Sequence, residues 1–217
     1  DVLQGIQNSA RSLGGVRRVF LADGDAMVLP TRRLLEILGQ LREAFPDLQR
    51  VSSYCLPRNL AKKTVEELAQ LKEAGLQILY VGMESGDDEV LRRVNKGETW
   101  ESTRSALVKI REAGLTSSVM VLNGLGGESL SRQHAINTAT LCNETQPDYL
   151  STLVVSFPQG QERFREGFGD DFVPLSQQGL FEEIRLFLEH LELDKTIFRS
   201  DHASNYLVLK GTLGRDK

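Results

Sequence analysis

Five short runs rich in Val, Ile and Leu, each followed by a longer stretch with helical periodicity, constrain this chain more than any other feature. They occupy residues 16–21, 49–53, 76–83, 117–122 and 149–155. Their starts lie about 30 to 40 residues apart, the length of one strand, one helix and two loops. The runs do not alternate strictly, which suits strands covered on both faces in a parallel sheet. Repeated strand–helix units with right-handed crossovers leave a barrel-like sheet or an open doubly wound sheet. All units share one order and no dinucleotide fingerprint opens the chain, which favours the barrel. Five clear strands and a weaker sixth at 196–199 are too few for an eight-fold barrel. The expectation is therefore an α/β fold with a partial, open TIM-like barrel over residues 1–200, followed by a tail segment, 201–217.

Helix boundaries are written in the same stretches. A helix is expected over 1–13, and Thr31 precedes a segment carrying Leu34, Leu38 and Leu41 on one side. Thr64-Val65-Glu66-Glu67 has capping-box spacing, and Thr99 is placed to cap the helix that follows it. Two helices end in nearly the same phrase, Lys72-Glu73-Ala74-Gly75-Leu76 and Arg111-Glu112-Ala113-Gly114-Leu115. Each puts a glycine where a left-handed residue is wanted just before a strand. Further helices are expected over 131–143 and 177–191.

With 217 residues, 40% hydrophobic and 26% charged, the chain is long and apolar enough for a core without disulfide or metal staples. A net charge of -4 argues against broad nucleic-acid binding. No apolar run approaches a membrane span. Two cysteines, Cys55 and Cys142, are too few for a disulfide framework and lack metal-ligand spacing, so a cytoplasmic home is expected. They read most simply as buried thiols.

In either sheet solution the site lies at the C-terminal strand ends. There stand Asp23-Gly24-Asp25, then Ser52-Ser53-Tyr54-Cys55, then Gly82-Met83-Glu84-Ser85-Gly86, then Leu122-Asn123-Gly124-Leu125-Gly126-Gly127, then Val155-Ser156-Phe157-Pro158. Asp23, Asp25 and Glu84 can hold an ammonium, ribose hydroxyls or a hard metal ion. They can equally shape turns, with Glu84 capping the short helix after it. The Asn123–Gly127 stretch permits close backbone approach but has neither P-loop nor dinucleotide spacing. Arg92, Arg93 and Lys96 form a basic run suited to a carboxylate or phosphate, with Arg92 best read as part of a solvated helix face. His202, near Asp201 and Ser204, is too local to form a triad. The stretch 159–171 reads as a loop, either a substrate cover or a surface segment.

The run Tyr80-Val81-Gly82-Met83-Glu84-Ser85-Gly86-Asp87-Asp88-Glu89-Val90-Leu91-Arg92-Arg93-Val94-Asn95-Lys96-Gly97 resembles the fourth-strand segment of the radical S-adenosylmethionine enzymes. Phe20–Asp25 falls where that family carries Gly-Gly-Glu, and Met120–Gly127 where it carries Gly-x-Ile-x-Gly-x-x-Gly. The resemblance covers about residues 16–158, and the closing 198–217 stretch is similar to an uncharacterised bacterial iron–sulfur oxidoreductase branch. It implies a partial (β/α)6 barrel whose first βα unit is missing here. It also implies S-adenosylmethionine and a [4Fe–4S] cluster as cofactors, and a 5′-deoxyadenosyl radical that abstracts hydrogen from an unknown substrate, small or macromolecular.

Position by position, the resemblance puts Asp23, Gly24 and Asp25 at the methionine ammonium. Ser53, Glu84 and its neighbour Ser85 fall at polar groups of the cofactor, and Arg93 or Lys96 near its carboxylate. Leu122, Asn123, Gly124, Val155 and Ser156 flank the adenine. Asp25 is shorter than the family's glutamate, and Asp23 replaces its first glycine. No Cys-x-x-x-Cys-x-x-Cys motif occurs in the sequence. The chain is thus expected to be a piece of a longer enzyme, inactive alone, binding no metal itself and prone to self-association through an exposed sheet edge. The alternatives are a divalent-metal barrel lyase or aldolase built on Asp23, Asp25 and Glu84, and a non-catalytic binding domain.

Overall fold

The computed structural model describes residues 2–22, 24–157 and 160–216. The backbone forms an α/β fold around a mostly parallel seven-stranded sheet that does not close, with strand order following chain order. Two compact units divide the chain.

The first unit runs to Val81 and includes Ala106–Ser117. It holds α1 (Val2–Ser12), β1 (Arg18–Leu21), a 3-10 turn (Ala26–Val28) and α2 (Thr31–Ala44). Then come β2 (Arg50–Cys55), α3 (Pro57–Leu60), α4 (Val65–Glu73) and most of β3 (Leu76–Glu84). The three strands pair in parallel. Leu34, Ile37, Leu38 and Leu41 recur at helical spacing on α2 and are buried, as are Leu68 and Leu71 of α4. Val51, Ser53 and Cys55 of β2, and Leu79 and Val81 of β3, are buried with them. The alternate residues Phe20, Tyr54 and Tyr80 meet edge-on or tilted on the other face, with ring centroids 4.7 to 6.3 Å apart.

Local sequence sets the ends of these elements. Thr64 accepts the Glu67 N–H, and the Glu67 carboxylate accepts the Thr64 N–H, which completes the expected capping box. Gly75 and Gly114 both adopt positive φ, 115° and 69°, and turn the chain from helix into strand. Thr31 is the first helical residue of α2, with Pro30 at the cap.

The second unit comprises Gly82–Ser105 and Ser118–Lys217. It contains α5 (Asp88–Arg93), the first part of α6 (Trp100–Glu112), and nearly all of β4 (Thr116–Asn123). α7 (Gly127–Thr145), β5 (Tyr149–Val154), α8 (Glu162–Phe168) and α9 (Gln177–His190) follow. β6 (Ile197–Arg199) and β7 (Lys210–Thr212) end it. Thr99 caps α6, its hydroxyl accepting the Ser102 N–H while the Ser102 hydroxyl accepts the Thr99 N–H. Strands β4, β5 and β6 pair in parallel.

Three features differ from the sequence expectation. β7, in the stretch expected as a tail, joins the sheet antiparallel to β6. The 159–171 segment contains α8, held by a cluster in which Phe164 meets Phe157 and Phe172 at 4.7 and 4.6 Å. α7 begins at Gly127, earlier than expected, because the Glu128 N–H finds the Val173 carbonyl. Between β6 and β7, the Asn205 side chain takes a strand's place beside β5. Its amide nitrogen donates to the Thr152 carbonyl (2.7 Å) and its oxygen accepts the Val154 N–H (2.9 Å). Among the described residues no helix is long and apolar enough to cross a membrane.

Candidate functional site

In the first unit the strand ends are held by Asp25. Its Oδ1 accepts the Met27 N–H (2.7 Å), and its Oδ2 accepts the Leu56 N–H (2.5 Å) and the Asn59 amide (2.8 Å). One carboxylate thus clamps the turn after β1 to the start of α3. Lys63, 5% exposed, secures the same turn through the Leu29 carbonyl (2.7 Å). Burial lowers the Lys63 pKa despite the nearby Glu67 and Asp25 charges. Gly24 is exposed with a φ of 103°. Asp23 lies outside the described residues.

Ser53 is fully buried, its hydroxyl donating to the Tyr54 carbonyl, so it does not reach the open face of β2. Tyr54, 44% exposed, occupies that face. It stood among the strand-end candidates without a role, although the period-two alternation of a strand separates neighbouring residues onto opposite faces.

In the second unit the end of β3 carries an ion pair. Lys96 Nζ meets Glu84 Oε1 at 2.8 Å, both side chains about four-fifths buried. Glu84 has φ 61°, a left-handed conformation that costs a non-glycine residue on the order of 1–3 kcal/mol. That turn folds its carboxylate back over Gly82, where an added Cβ would lie 2.6 Å from Oε1 and 3.3 Å from Lys96 Nζ. The pattern Gly-x-Glu followed twelve residues later by Lys therefore has a spatial reason: the pair rests on the bare glycine backbone.

Arg93 does not join that pair. It bonds Glu89 (2.8 Å) and Asp171 (3.0 Å) and lies over the Phe168 ring. Arg92 bonds Glu89 at the surface, as a solvated helix face should. Asp87, not Glu84, caps α5, accepting the Val90 N–H (2.9 Å). The capping alternative for Glu84 is overturned, because its left-handed backbone turns the side chain away from the helix start.

Ser85 is fully buried and hydrogen-bonds His134 Nδ1 (2.8 Å). At the end of β4, His134 Nε2 bonds the Leu122 carbonyl (3.1 Å), and the Asn123 amide donates to the Leu180 carbonyl (3.0 Å). The Gly124 N–H donates to Glu183 (2.6 Å). Val155 joins this turn through the Asn123 carbonyl (2.9 Å), and Ser156 is exposed beyond it. Pro158 lies outside the described residues.

No group of three or more His, Cys, Asp and Glu able to hold a metal ion occurs among the described residues. Cys55 is 2% exposed in the first unit, and Cys142 is fully buried in the second. Burial pushes the Cys142 thiol up to about 12. An iron–sulfur cluster needs several accessible thiolates close together. The residues present do not fit one.

The chain belongs to the radical S-adenosylmethionine (radical SAM) superfamily, which it matches over residues 2–139. Among curated relatives it is similar to the heme chaperone HemW of Bacillus subtilis, 24% identical over 57% of this chain and 33% of that protein. It is also similar to a probable threonylcarbamoyladenosine tRNA methylthiotransferase of Methanocaldococcus jannaschii, 26% identical over 60% of this chain and 30% of that protein. The chain thus spans about a third of the length of these relatives. Its fold is shared with the coproporphyrinogen III oxidase HemN from Escherichia coli, a radical SAM enzyme. There the TM-score is 0.70 at 23% identity, covering 87% of this chain and 44% of that one. Methylornithine synthase PylB matches with TM-score 0.60 at 18% identity, covering 88% and 54%.

Proposed function

We propose that the second unit supplies S-adenosylmethionine contacts of a radical SAM enzyme acting on a substrate not yet identified. The observation that carries this reading is the Glu84–Lys96 pair seated on Gly82 at the end of β3. S-adenosylmethionine ends in an amino acid, with one ammonium and one carboxylate. An acid and a base 2.8 Å apart can each exchange their mutual contact for the ligand group of opposite charge. Lys96 takes the carboxylate, and Glu84 takes the ammonium or a ribose hydroxyl. Lys96 is favoured over Arg93 for this role because it meets Glu84 above Gly82 at the end of β3, whereas Arg93 turns to Glu89 and Asp171. Leu122, Asn123 and Gly124, with Val155 and Ser156 beside them, provide backbone and apolar surface for the adenine.

In this superfamily S-adenosylmethionine and a reduced [4Fe–4S] cluster together yield a 5′-deoxyadenosyl radical that abstracts hydrogen from the substrate. The residues described here bind and orient, and the cluster ligands are not among them. No observation favours a metal-dependent lyase: Asp25 is occupied by three protein donors.

Calorimetric titration of S-adenosylmethionine into the chain tests the reading. Wild type is expected to bind weakly, and Lys96→Ala and Glu84→Ala to bind at least about tenfold more weakly still, the range for losing a charge-assisted contact. Equal affinity of wild type and both variants would overturn it.

A further inference from the structure

Glu183, on α9, is 3% exposed and lies outside the stretch that matches the superfamily. Its two oxygens hold separate partners: Oε1 accepts the Gly124 N–H and Oε2 the Ser131 hydroxyl, both at 2.6 Å. His134 stands beside it on α7, with Nε2 3.9 Å from Oε1, and is 2% exposed. The direction of each hydrogen bond around the imidazole follows from its partners. A carbonyl oxygen only accepts, so Nε2 carries a proton and donates to Leu122 (3.1 Å). In the neutral ring Nδ1 then accepts from the Ser85 hydroxyl (2.8 Å), and the Ser85 oxygen accepts the Asp87 N–H (3.0 Å).

The result is a buried polar cluster of two hydrogen-bonded links, Ser85–His134–Leu122 and Ser131–Glu183–Gly124, which meet at the 3.9 Å approach of Nε2 to Oε1. One end grips the 84–87 turn after β3, which carries Glu84. The other grips Leu122 and Gly124 at the end of β4. Packing alone does not require this: a well-packed apolar cluster is cheaper to bury than a carboxylate. Directional bonds, by contrast, fix two backbone segments at one spacing.

We propose that Glu183 and His134 are positioning residues that lock the 84–87 turn to the 122–124 turn, so that S-adenosylmethionine affinity depends on Glu183 although it does not touch the ligand. The inference rests on the cofactor reading above. Glu183→Gln preserves shape and one acceptor while removing the carboxylate. Ser85→Ala cuts the cluster at its other end.

The test combines amide resonances of ligand-free protein with calorimetric titration of S-adenosylmethionine. In Glu183→Gln the Gly124 amide is expected to move upfield, with accompanying shifts at Ser85 and Asp87 beyond the imidazole. Ser85→Ala is expected to shift Gly124 in return. Affinity in Glu183→Gln should fall about tenfold, within the usual range of coupling between sites. The proposal is overturned if Gly124 moves while Ser85 and Asp87 stay fixed, or if affinity is unchanged in a variant whose Gly124 resonance has moved. Should Glu183→Gln not fold, Ser85→Ala alone decides, and an unmoved Gly124 resonance there overturns the proposal. A wild type that binds no S-adenosylmethionine sinks the cofactor reading instead, and with it the affinity part of this proposal. The locking itself is then judged by the resonances.

Discussion

A methyl group added at position 82 and one added at position 86 meet different opponents. At Gly82 it meets the tips of Glu84 and Lys96, flexible ends that can swing aside. At Gly86 it meets the Asn137 carbonyl and Thr138 Cα, both at 2.7 Å, which are backbone and cannot. Gly82→Ala is therefore expected to leave stability within about 0.5 kcal/mol while dislodging the ion pair and weakening cofactor binding. Gly86→Ala should cost about 1–3 kcal/mol through overpacking. Urea melts of both variants, with a titration of the first, check this. Equal loss of stability in both would refute the distinction. Single residues also mark how far the sequence could be read. Glu84 and Lys96 were legible as candidates because their motif is continuous. Ser53 and Tyr54 are adjacent in sequence, and only strand register decides which of them faces inward. Glu183 was illegible, since nothing near it in sequence tells of a partner 59 positions away.

Helix α5 shows how local chemistry sets an element. Asp87 caps it, and Glu89 bonds Arg92 and then Arg93 within its single turn and a half. These bonds pull the Glu89 pKa from 4.5 down to about 2, the Arg92 hydrogen bond contributing most and the Arg93 bond next. A carboxylate with a depressed folded pKa adds stability that is complete above its unfolded value and vanishes as pH falls through the folded one. The advantage of wild type over Glu89→Gln should thus be full above pH 4.5 and gone near pH 2. Thermal melts across that interval measure it, and a pH-independent gap would contradict the assignment. Where elements carry their own signals, as in the Thr64 capping box or the Ala-Gly endings, the sequence told their boundaries. Where an element depends on distant partners, it did not. α8 forms around phenylalanines on both sides of it, and β7 owes its place to pairing with β6.

Across the whole molecule, repeated strand–helix units were enough to read the fold class, because period and crossover rules act over the full chain. The thiol inventory acts at the same scale. Both cysteines are buried, in different units, and the Cys142 pKa is raised to about 12. Reconstitution with iron and sulfide is expected to leave this chain without a cluster signal in electron paramagnetic resonance, and a thiol reagent at mildly alkaline pH to react only after urea is added. A cluster signal that survives reconstitution and disappears in Cys55→Ala or Cys142→Ala would overturn that expectation.

Asn205 lends the β5 rim its own amide in place of a peptide group. One side chain thereby separates the length of a strand from the reach of its hydrogen-bond ladder. β6 can stop after three residues, because the connection to β7 continues the ladder with side chains, the Asn205 amide and the Ser204 hydroxyl that also accepts the Val154 N–H (3.1 Å). Exchange of Asn205 for aspartate would put oxygen against oxygen at Thr152 and cut that extension of the ladder.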